Sequence, residues 1–155
     1  MTRTCLHAGC VIVGPMGILI TGASGAGKSA LGDVLIDAAL RRGHYGALVS
    51  DDRTCLDNRY GVLVASPQER LAGLVEVRGF GIQSTTYEAA AAIRLVVELL
   101  PQEELERLPD APVVLSEVAG VSVPKLQVVA GDTFAAVRRI RWAMRLLFPK
   151  SQDYV

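Results

Sequence analysis

The chain has 155 residues, half of them hydrophobic, and its 16 basic and 16 acidic side chains leave a formal net charge of zero. This length and composition are typical of a single domain with a full core, and the balanced charge argues against a strong nucleic-acid binder. No long uncharged apolar run and no signal-peptide pattern are present, so we expect one cytoplasmic domain over residues 1–155 with no membrane partner.

The first half of the chain predicts a hairpin, a helix and short strands. The stretch LHAGCVIVGPMGILIT predicts two strands around a turn at 14–17, and the second strand runs directly into GASGAGKS. Apolar residues at helical spacing predict a helix over 28–42 that ends at Gly43. Short strands are further predicted at 47–49, on both sides of a turn at 57–61, and at 74–78.

The second half predicts mainly strands, with one amphipathic helix at its end. Residues 93–100 are apolar and partly β-branched, which allows either a strand or a helix. The other predicted elements are a short acidic helix at 102–108, strands at 113–117 and 121–129, and a helix at 133–148 with Asp132 as its N-cap. Many short strands and few helices predict an α/β domain with a mixed sheet.

The last helix carries a basic face, formed by Arg138, Arg141 and Arg145 at helical spacing. Such stripes are usually solvated helix faces, and a docking surface for an acidic partner is the sharper alternative. The chain also holds three cysteines, Cys5, Cys10 and Cys55, with no C-x-x-C pair. This odd number predicts free thiols, with neither a zinc site nor a disulfide framework.

One motif carries clear chemistry, the pattern G-x-x-x-x-G-K-[ST]. Glycines let backbone N–H groups surround a phosphate, and the positive end of the following helix points at the same place. Lys28 would reach the β- and γ-phosphates, and the Ser29 hydroxyl would reach Mg²⁺. A glycine-rich turn is the bland alternative, but the strand before the loop and the helix after it favour a nucleotide site. The loop residues are Gly22, Ala23, Ser24, Gly25, Ala26, Gly27, Lys28 and Ser29.

Acidic residues follow two of the predicted strands. Asp51 and Asp52 end an apolar strand, where one carboxylate would approach Mg²⁺ and the other would accept a proton from an incoming hydroxyl. Glu76 is a second metal candidate, and Arg78 would hold a phosphate or a partner. The alternatives are a simple turn at the aspartates and an edge strand at 74–78. Which aspartate is the base stays open.

Together, GASGAGKS, LVSDD, LVEVRGFGI and VPKLQV, in this order, resemble the catalytic domain of the HPr kinase/phosphorylase family. The resemblance covers most of the chain, from His7 onwards. It implies a P-loop kinase domain whose mixed sheet is related to that of phosphoenolpyruvate carboxykinase. It also implies ATP and Mg²⁺ as cofactors, a serine of the phosphocarrier protein HPr or an HPr-like protein as acceptor, and a homo-oligomer, a hexamer.

The resemblance also implies roles for single residues. Asp52 matches the catalytic aspartate that takes the serine proton, and Lys28 stabilises charge on the moving phosphate. Ser29 and Glu76 match metal positions, with Asp51 as a further metal candidate. His7 and Arg107 match two more active-site positions, although the residues alone would suggest a terminal histidine and a surface arginine.

Two departures from the family pattern shape the expectations. The chain begins just before His7, so it resembles the short single-domain form without the N-terminal domain of long members. Residues 128–132 replace the family's arginine-bearing P-V-R-P-G-R stretch, which is tied to dephosphorylation. We therefore expect a kinase that lacks the reverse activity. A small-molecule kinase and a non-catalytic ATP-sensing module are the alternatives.

Overall fold

A central pair of parallel strands, buried on both faces, organises the sheet. The computed structural model describes residues 3–155. Within these residues the strands are β1 (Thr4–Leu6), β2 (Gly9–Val13), β3 (Met16–Gly22), β4 (Gly46–Ser50), β5 (Thr54–Arg59), β6 (Val62–Pro67), β7 (Leu74–Val77), β8 (Gly81–Ser84), β9 (Ala91–Leu100), β10 (Val113–Val118) and β11 (Val121–Val129). The helices are α1 (Lys28–Arg41) and α2 (Thr133–Leu147).

The main sheet is mixed, as the sequence predicts. Its order is β1-β5-β6-β9-β3-β2-β4, and β11 joins β9 in parallel while pairing antiparallel with β10. The start of β9 pairs with β6 and its end with β11, so two strands share one edge of β9. The other edge of β9 pairs in parallel with β3. Strands β7 and β8 form a separate two-stranded ribbon.

Alternating side chains of β3 divide the interior into two hydrophobic clusters. Ile18 and Ile20 face the cluster that α1 and α2 cover, where Leu31 and Ile140 are fully buried. Leu19 faces the opposite cluster, which includes residues of β5 and β6. A strand with apolar side chains on both faces is the pattern expected for a central parallel strand. This double packing fixes the end of β3, where the glycine loop begins.

The helix limits follow local signals. Gly43 has a φ of 77°, a left-handed conformation that suits glycine just after a helix. Oδ1 of Asp132 accepts a hydrogen bond of 3.0 Å from the backbone N–H of Ala135. The predicted ends of α1 and the predicted N-cap of α2 are therefore confirmed.

The secondary structure of two segments in the second half of the chain could be assigned only from the structure. The ambiguous run at 93–100 is a strand, because β3 and β11 both pair with it. The acidic helix predicted at 102–108 is wrong, since only a single 3₁₀ turn forms there, at Gln102–Glu104. A seven-residue segment is too short to stabilise a helix alone, and Pro109 disfavours helical conformation in the residue before it.

The prediction of three free thiols is also wrong. Strand β1 pairs antiparallel with β5 in a register that places Cys5 opposite Cys55, and the two form a disulfide. Sequence spacing does not reveal this pairing, because 50 residues separate the two positions. Cys10 is free and buried, and its burial raises the pKa of its thiol.

The basic face of α2 is largely engaged within the chain. Arg141 Nε donates a hydrogen bond of 2.6 Å to the backbone oxygen of Val155. Arg145 donates two hydrogen bonds to Asp153, of 2.9 and 2.7 Å. Arg138 instead lines an apolar cavity of about 520 Å³ beside α2. Two of the three arginines thus fasten the C-terminal segment to the helix.

No helix in the described part of the chain is long and apolar enough to cross a membrane.

Candidate active site

The glycine loop connects the end of β3 to the start of α1. Gly25 and Gly27 have φ values of 78° and 98°, which L side chains rarely adopt. A Cβ added at either position would meet no heavy atom within 4 Å. These glycines are therefore needed for backbone conformation, and the space above the loop is open. Open space in front of backbone N–H groups is what a phosphate cradle requires.

Lys28 lies at the first position of α1 with a buried side chain. Its ammonium donates hydrogen bonds to the backbone oxygens of Gly22 and Ala23, at 3.0 and 2.9 Å. The positive charge is thus held against the loop itself. Phosphate oxygens entering the loop would offer this ammonium stronger, charged acceptors than the two carbonyls.

Asp51 joins three elements at the floor of the site. The Ser29 hydroxyl donates a hydrogen bond of 2.6 Å to Oδ1 of Asp51, and the backbone N–H of Glu76 donates one of 3.1 Å to Oδ2. Both carboxylate oxygens are therefore engaged, and the residue is buried. Strand β4, helix α1 and the β7–β8 ribbon meet at this one side chain.

Asp52 has a different environment, although it is the next residue. Its φ of 67° is left-handed, which turns the side chain away from that of Asp51. Oδ1 of Asp52 lies 3.3 Å from Nε2 of His7, and the two side chains are 67% and 49% exposed. Asp52 is thus accessible to an incoming hydroxyl, while Asp51 is not.

A cavity of about 340 Å³ brings most of the predicted residues together. Its lining includes His7, Asp52, Glu76 and Arg78. The loop and its neighbours contribute Ser24, Gly25, Gly27, Lys28, Ser29 and Asp51. Arg107 lies outside this lining, in the exposed segment before β10. Its role in the active site therefore stays a prediction.

Among the charged residues that line the cavity, the sequence did not predict Asp33. Asp33 follows Ser29 by four residues on α1, so the two share one helix face. That spacing was a usable signal once Ser29 had been assigned to the site. Partial burial, and secondarily the charge of Asp51, raise the pKa of the Asp33 carboxyl.

The donor set suits a magnesium ion bound together with a nucleotide. Mg²⁺ prefers oxygen ligands, keeps several waters and usually takes one or two carboxylates plus substrate phosphates. The Ser29 hydroxyl and the carboxylates of Asp51 and Glu76 supply such oxygens beside the loop. Across residues 3–155 no group of three or more His, Cys, Asp or Glu side chains forms a dedicated metal cage.

A strand, a glycine loop and a helix, set in a mixed sheet with acids at the end of β4, define an α/β protein of the phosphate-loop class. Residues 1–138 match the family model described as HPr Serine kinase C-terminal domain. The chain belongs to this family.

Relatives and a solved structure agree with this assignment. The chain is 34% identical over 149 residues to the HPr kinase/phosphorylase of Variovorax paradoxus, an alignment covering 87% of this chain and 44% of that protein. It is 37% identical over 137 residues to the HPr kinase/phosphorylase of Limosilactobacillus reuteri, covering 81% of this chain and 41% of that protein. It thus spans less than half the length of these curated relatives.

The fold matches the solved structure of the Hpr(Ser) kinase/phosphatase from Coxiella burnetii. The TM-score is 0.77 at 26% sequence identity, and the match covers 92% of this chain and 97% of that one. The predicted α/β fold with a mixed sheet is confirmed.

Proposed function

We propose that the chain is an ATP- and Mg²⁺-dependent protein serine kinase whose acceptor is HPr or an HPr-like phosphocarrier protein. The observation that carries this proposal is the difference in burial and hydrogen bonding between the two neighbouring aspartates. Asp51 is buried with both oxygens engaged, whereas Asp52 faces the cavity beside His7. A metal-side acid and an accessible base next to a phosphate loop are the two groups that phosphoryl transfer requires.

Each side chain has a role in this reaction. When bound, ATP would supply the γ-phosphoryl group, and Mg²⁺ would supply positive charge beside it. Ser29 and Glu76 would hold the ion, with Asp51 behind Ser29. Lys28 stabilises the charge that develops on the transferred group. Asp52 accepts the proton of the serine hydroxyl as that oxygen bonds to the γ-phosphorus; the bond from this phosphorus to the ADP oxygen breaks and ADP leaves. His7 holds the Asp52 carboxylate in place.

The surface next to the cavity favours a protein acceptor over a small molecule. The β7–β8 ribbon contributes Glu76 and Arg78 to the cavity and then exposes Phe80 and Ile82, which are 75% and 70% exposed. Large apolar side chains beside an open site are typical of surfaces that bind other proteins. The names of the relatives identify HPr as the acceptor of those proteins, and we extend this to the present chain.

The sequence around the end of β11 supports a proposal for the direction of the reaction. Residues 128–132 carry no arginine where the family's dephosphorylation stretch has two. We therefore propose transfer to the phosphocarrier without the reverse activity. Three further features rest on the family resemblance alone: the hexamer, the kinship with phosphoenolpyruvate carboxykinase and the role of Arg107. The cytoplasmic location is proposed from the lack of a signal-peptide pattern and of a long uncharged apolar run.

The test is transfer of labelled γ-phosphate from ATP, with Mg²⁺, to HPr from the same organism. Wild type is compared with Asp52→Asn, Asp51→Asn and the control Asp37→Asn, which alters an exposed aspartate on α1. We expect label on an HPr serine that is lost in Asp52→Asn, while ATP binding persists. Label that survives in Asp52→Asn but not in Asp51→Asn would move the base to Asp51.

The same assay separates the alternatives. Label on small hydroxyl compounds with none on HPr would indicate a small-molecule kinase. ATP binding with no transfer to any acceptor, and no response to Asp52→Asn, would indicate a nucleotide-sensing module.

A further inference from the structure

The disulfide lies next to both members of the His7–Asp52 pair. His7 follows Cys5 by two residues, and Asp52 precedes Cys55 by three. One covalent bond therefore ties together the two chain segments that carry these side chains. Neither the phosphate loop nor the metal-side residues include a cysteine, so this bond has no part in the chemistry proposed above.

Besides the disulfide, the segment before His7 is held by a short strand, by Arg3 and by Leu6, which is partly buried against the cluster that Leu19 faces. Strand β1 is three residues long and, within residues 3–155, pairs with β5 alone. Arg3 adds two hydrogen bonds, of 3.1 Å to the Ser66 hydroxyl and 3.3 Å to the backbone oxygen of Pro67. So short a ladder at a sheet edge is marginal without further support.

The segment after His7 is held more firmly. The buried Thr54 hydroxyl donates a hydrogen bond of 2.8 Å to the backbone oxygen of Ala8, and β2 begins at the next residue. His7 thus lies between a fixed inner point and an outer point whose main anchor is the disulfide. Loss of that bond would release the outer side and leave the fold beyond Ala8 in place.

The two sulfurs differ in accessibility. Cys5 is exposed on the edge strand, whereas Cys55 is 2% exposed. A nucleophile from solvent would therefore attack Sγ of Cys5. Cys10 is fully buried, and the raised pKa of its thiol disfavours the reactive thiolate. Exchange chemistry is thus directed to the Cys5–Cys55 pair.

We propose that the Cys5–Cys55 disulfide is a thiol–disulfide exchange site for dithiol reductants, and that its reduction releases His7 from Asp52. A reductant thiolate attacks Sγ of Cys5, forming a mixed disulfide, and Cys55 leaves as a thiolate that takes up a proton. The second thiol of the reductant then displaces Cys5, giving two protein thiols and one oxidised reductant. Only the effect on phosphoryl transfer rests on the proposed function.

The test compares oxidised wild type with wild type reduced by dithiothreitol under native conditions. Alkylation and mass measurement count the released thiols, and the imidazole NMR signals report on His7. The chain has two histidines, so His44 is an internal reference and His7→Ala identifies the remaining signals. ATP affinity and phosphate transfer to HPr are also measured in both redox states. Cys5→Ser mimics the reduced state, and Cys10→Ala is the matched control.

We expect dithiothreitol to release two thiols in the folded protein and to shift the His7 signals while those of His44 stay unchanged. Transfer should fall about tenfold, as expected when a catalytic group loses its position, while ATP affinity is retained. With or without dithiothreitol, Cys5→Ser should show the His7 signals and the transfer rate of reduced wild type. Cys10→Ala should respond to dithiothreitol as wild type does.

Two results would overturn the proposal. One is a bond that resists dithiothreitol until the protein unfolds, which would make it a purely structural crosslink. The other is thiol release with unchanged His7 signals, which would separate the disulfide from the site. If neither redox state transfers phosphate, the proposed kinase function fails, and the thiol count and His7 signals still decide this inference.

Discussion

The Ser29 hydroxyl donates a hydrogen bond of 2.6 Å to Oδ1 of Asp51, and this contact joins the first turn of α1 to the end of β4. The second oxygen of Asp51 accepts from the backbone N–H of Glu76. A carboxylate that is fixed on both oxygens orients its partners. The Ser29 hydroxyl is thereby held beside the phosphate loop, where an ion would meet it.

Removal of this contact should weaken metal-dependent nucleotide binding. We predict that Ser29→Ala and Asp51→Asn each lower ATP affinity in Mg²⁺ by about 10- to 100-fold, the usual effect of losing a ligand's orienting partner. Affinity without Mg²⁺ should change little. Calorimetric titration with and without Mg²⁺ measures both, with Ser84→Ala on the exposed β8 strand as the control. Equal losses in both buffers would show that the pair supports the loop and not the ion.

Lys28 should be needed for ATP binding without being required for folding. Lys28→Met removes two hydrogen bonds from a charged donor to Gly22 and Ala23, so we expect a cost of about 1–3 kcal/mol in unfolding free energy. ATP affinity should fall by on the order of 100-fold, because the phosphate loses its charged partner. Urea unfolding and ATP titration measure the two effects, and the exposed Lys150→Met is the control. An unfolded Lys28→Met protein would contradict the prediction that Lys28 is not required for folding.

The sequence predicted the loop well because its chemistry is local. Eight consecutive residues carry the glycines, Lys28 and Ser29, and the flanking strand and helix have strong periodicity. The aspartates at the end of β4 were found for a similar reason, since strand ends and ligand sites coincide in open α/β sheets. The residues alone left open which aspartate is the base, and only the structure shows that Asp51 is buried while Asp52, with its left-handed φ, is exposed beside His7.

Features that depend on contacts between distant segments could not be predicted from the sequence. The Cys5–Cys55 bond follows from the register of β1 on β5, which no local pattern encodes. The run at 93–100 became a strand only through its neighbours β3 and β11. Asp33 lies in the site because the face of α1 that carries Ser29 and Asp33 packs toward β4 and β7.

The carboxyl of Asp33 should make stability depend on pH. Its raised pKa means that the folded state binds this proton more tightly than the unfolded state does. Stability therefore falls as pH rises from the usual carboxyl pKa of 3.8 through the raised value, and stays reduced above it. We predict that Asp33→Asn stabilises the protein slightly at about pH 7 and not at about pH 3.

Urea unfolding of wild type and Asp33→Asn at both pH values, without metal or nucleotide, measures this difference. The effect is small because most of the Asp33 side chain contacts solvent, which screens its charge. Asp37→Asn, four residues further along α1 and paired with Arg41, is the control for replacing an aspartate on this helix. A stabilisation that is equal at both pH values would rule out ionisation as its cause.

The N-cap of α2 should contribute a measurable share of stability. Oδ1 of Asp132 accepts from the backbone N–H of Ala135, one of the donors that a helix start leaves without a partner. Asp132→Ala removes this acceptor, so we expect a loss of about 1 kcal/mol in unfolding free energy, while Asp132→Asn keeps most of it. Urea unfolding of the two variants measures the difference. An equal loss in both would assign the effect to the charge at the helix start. No loss in either would show that the packing of the buried face of α2 holds this helix without the cap.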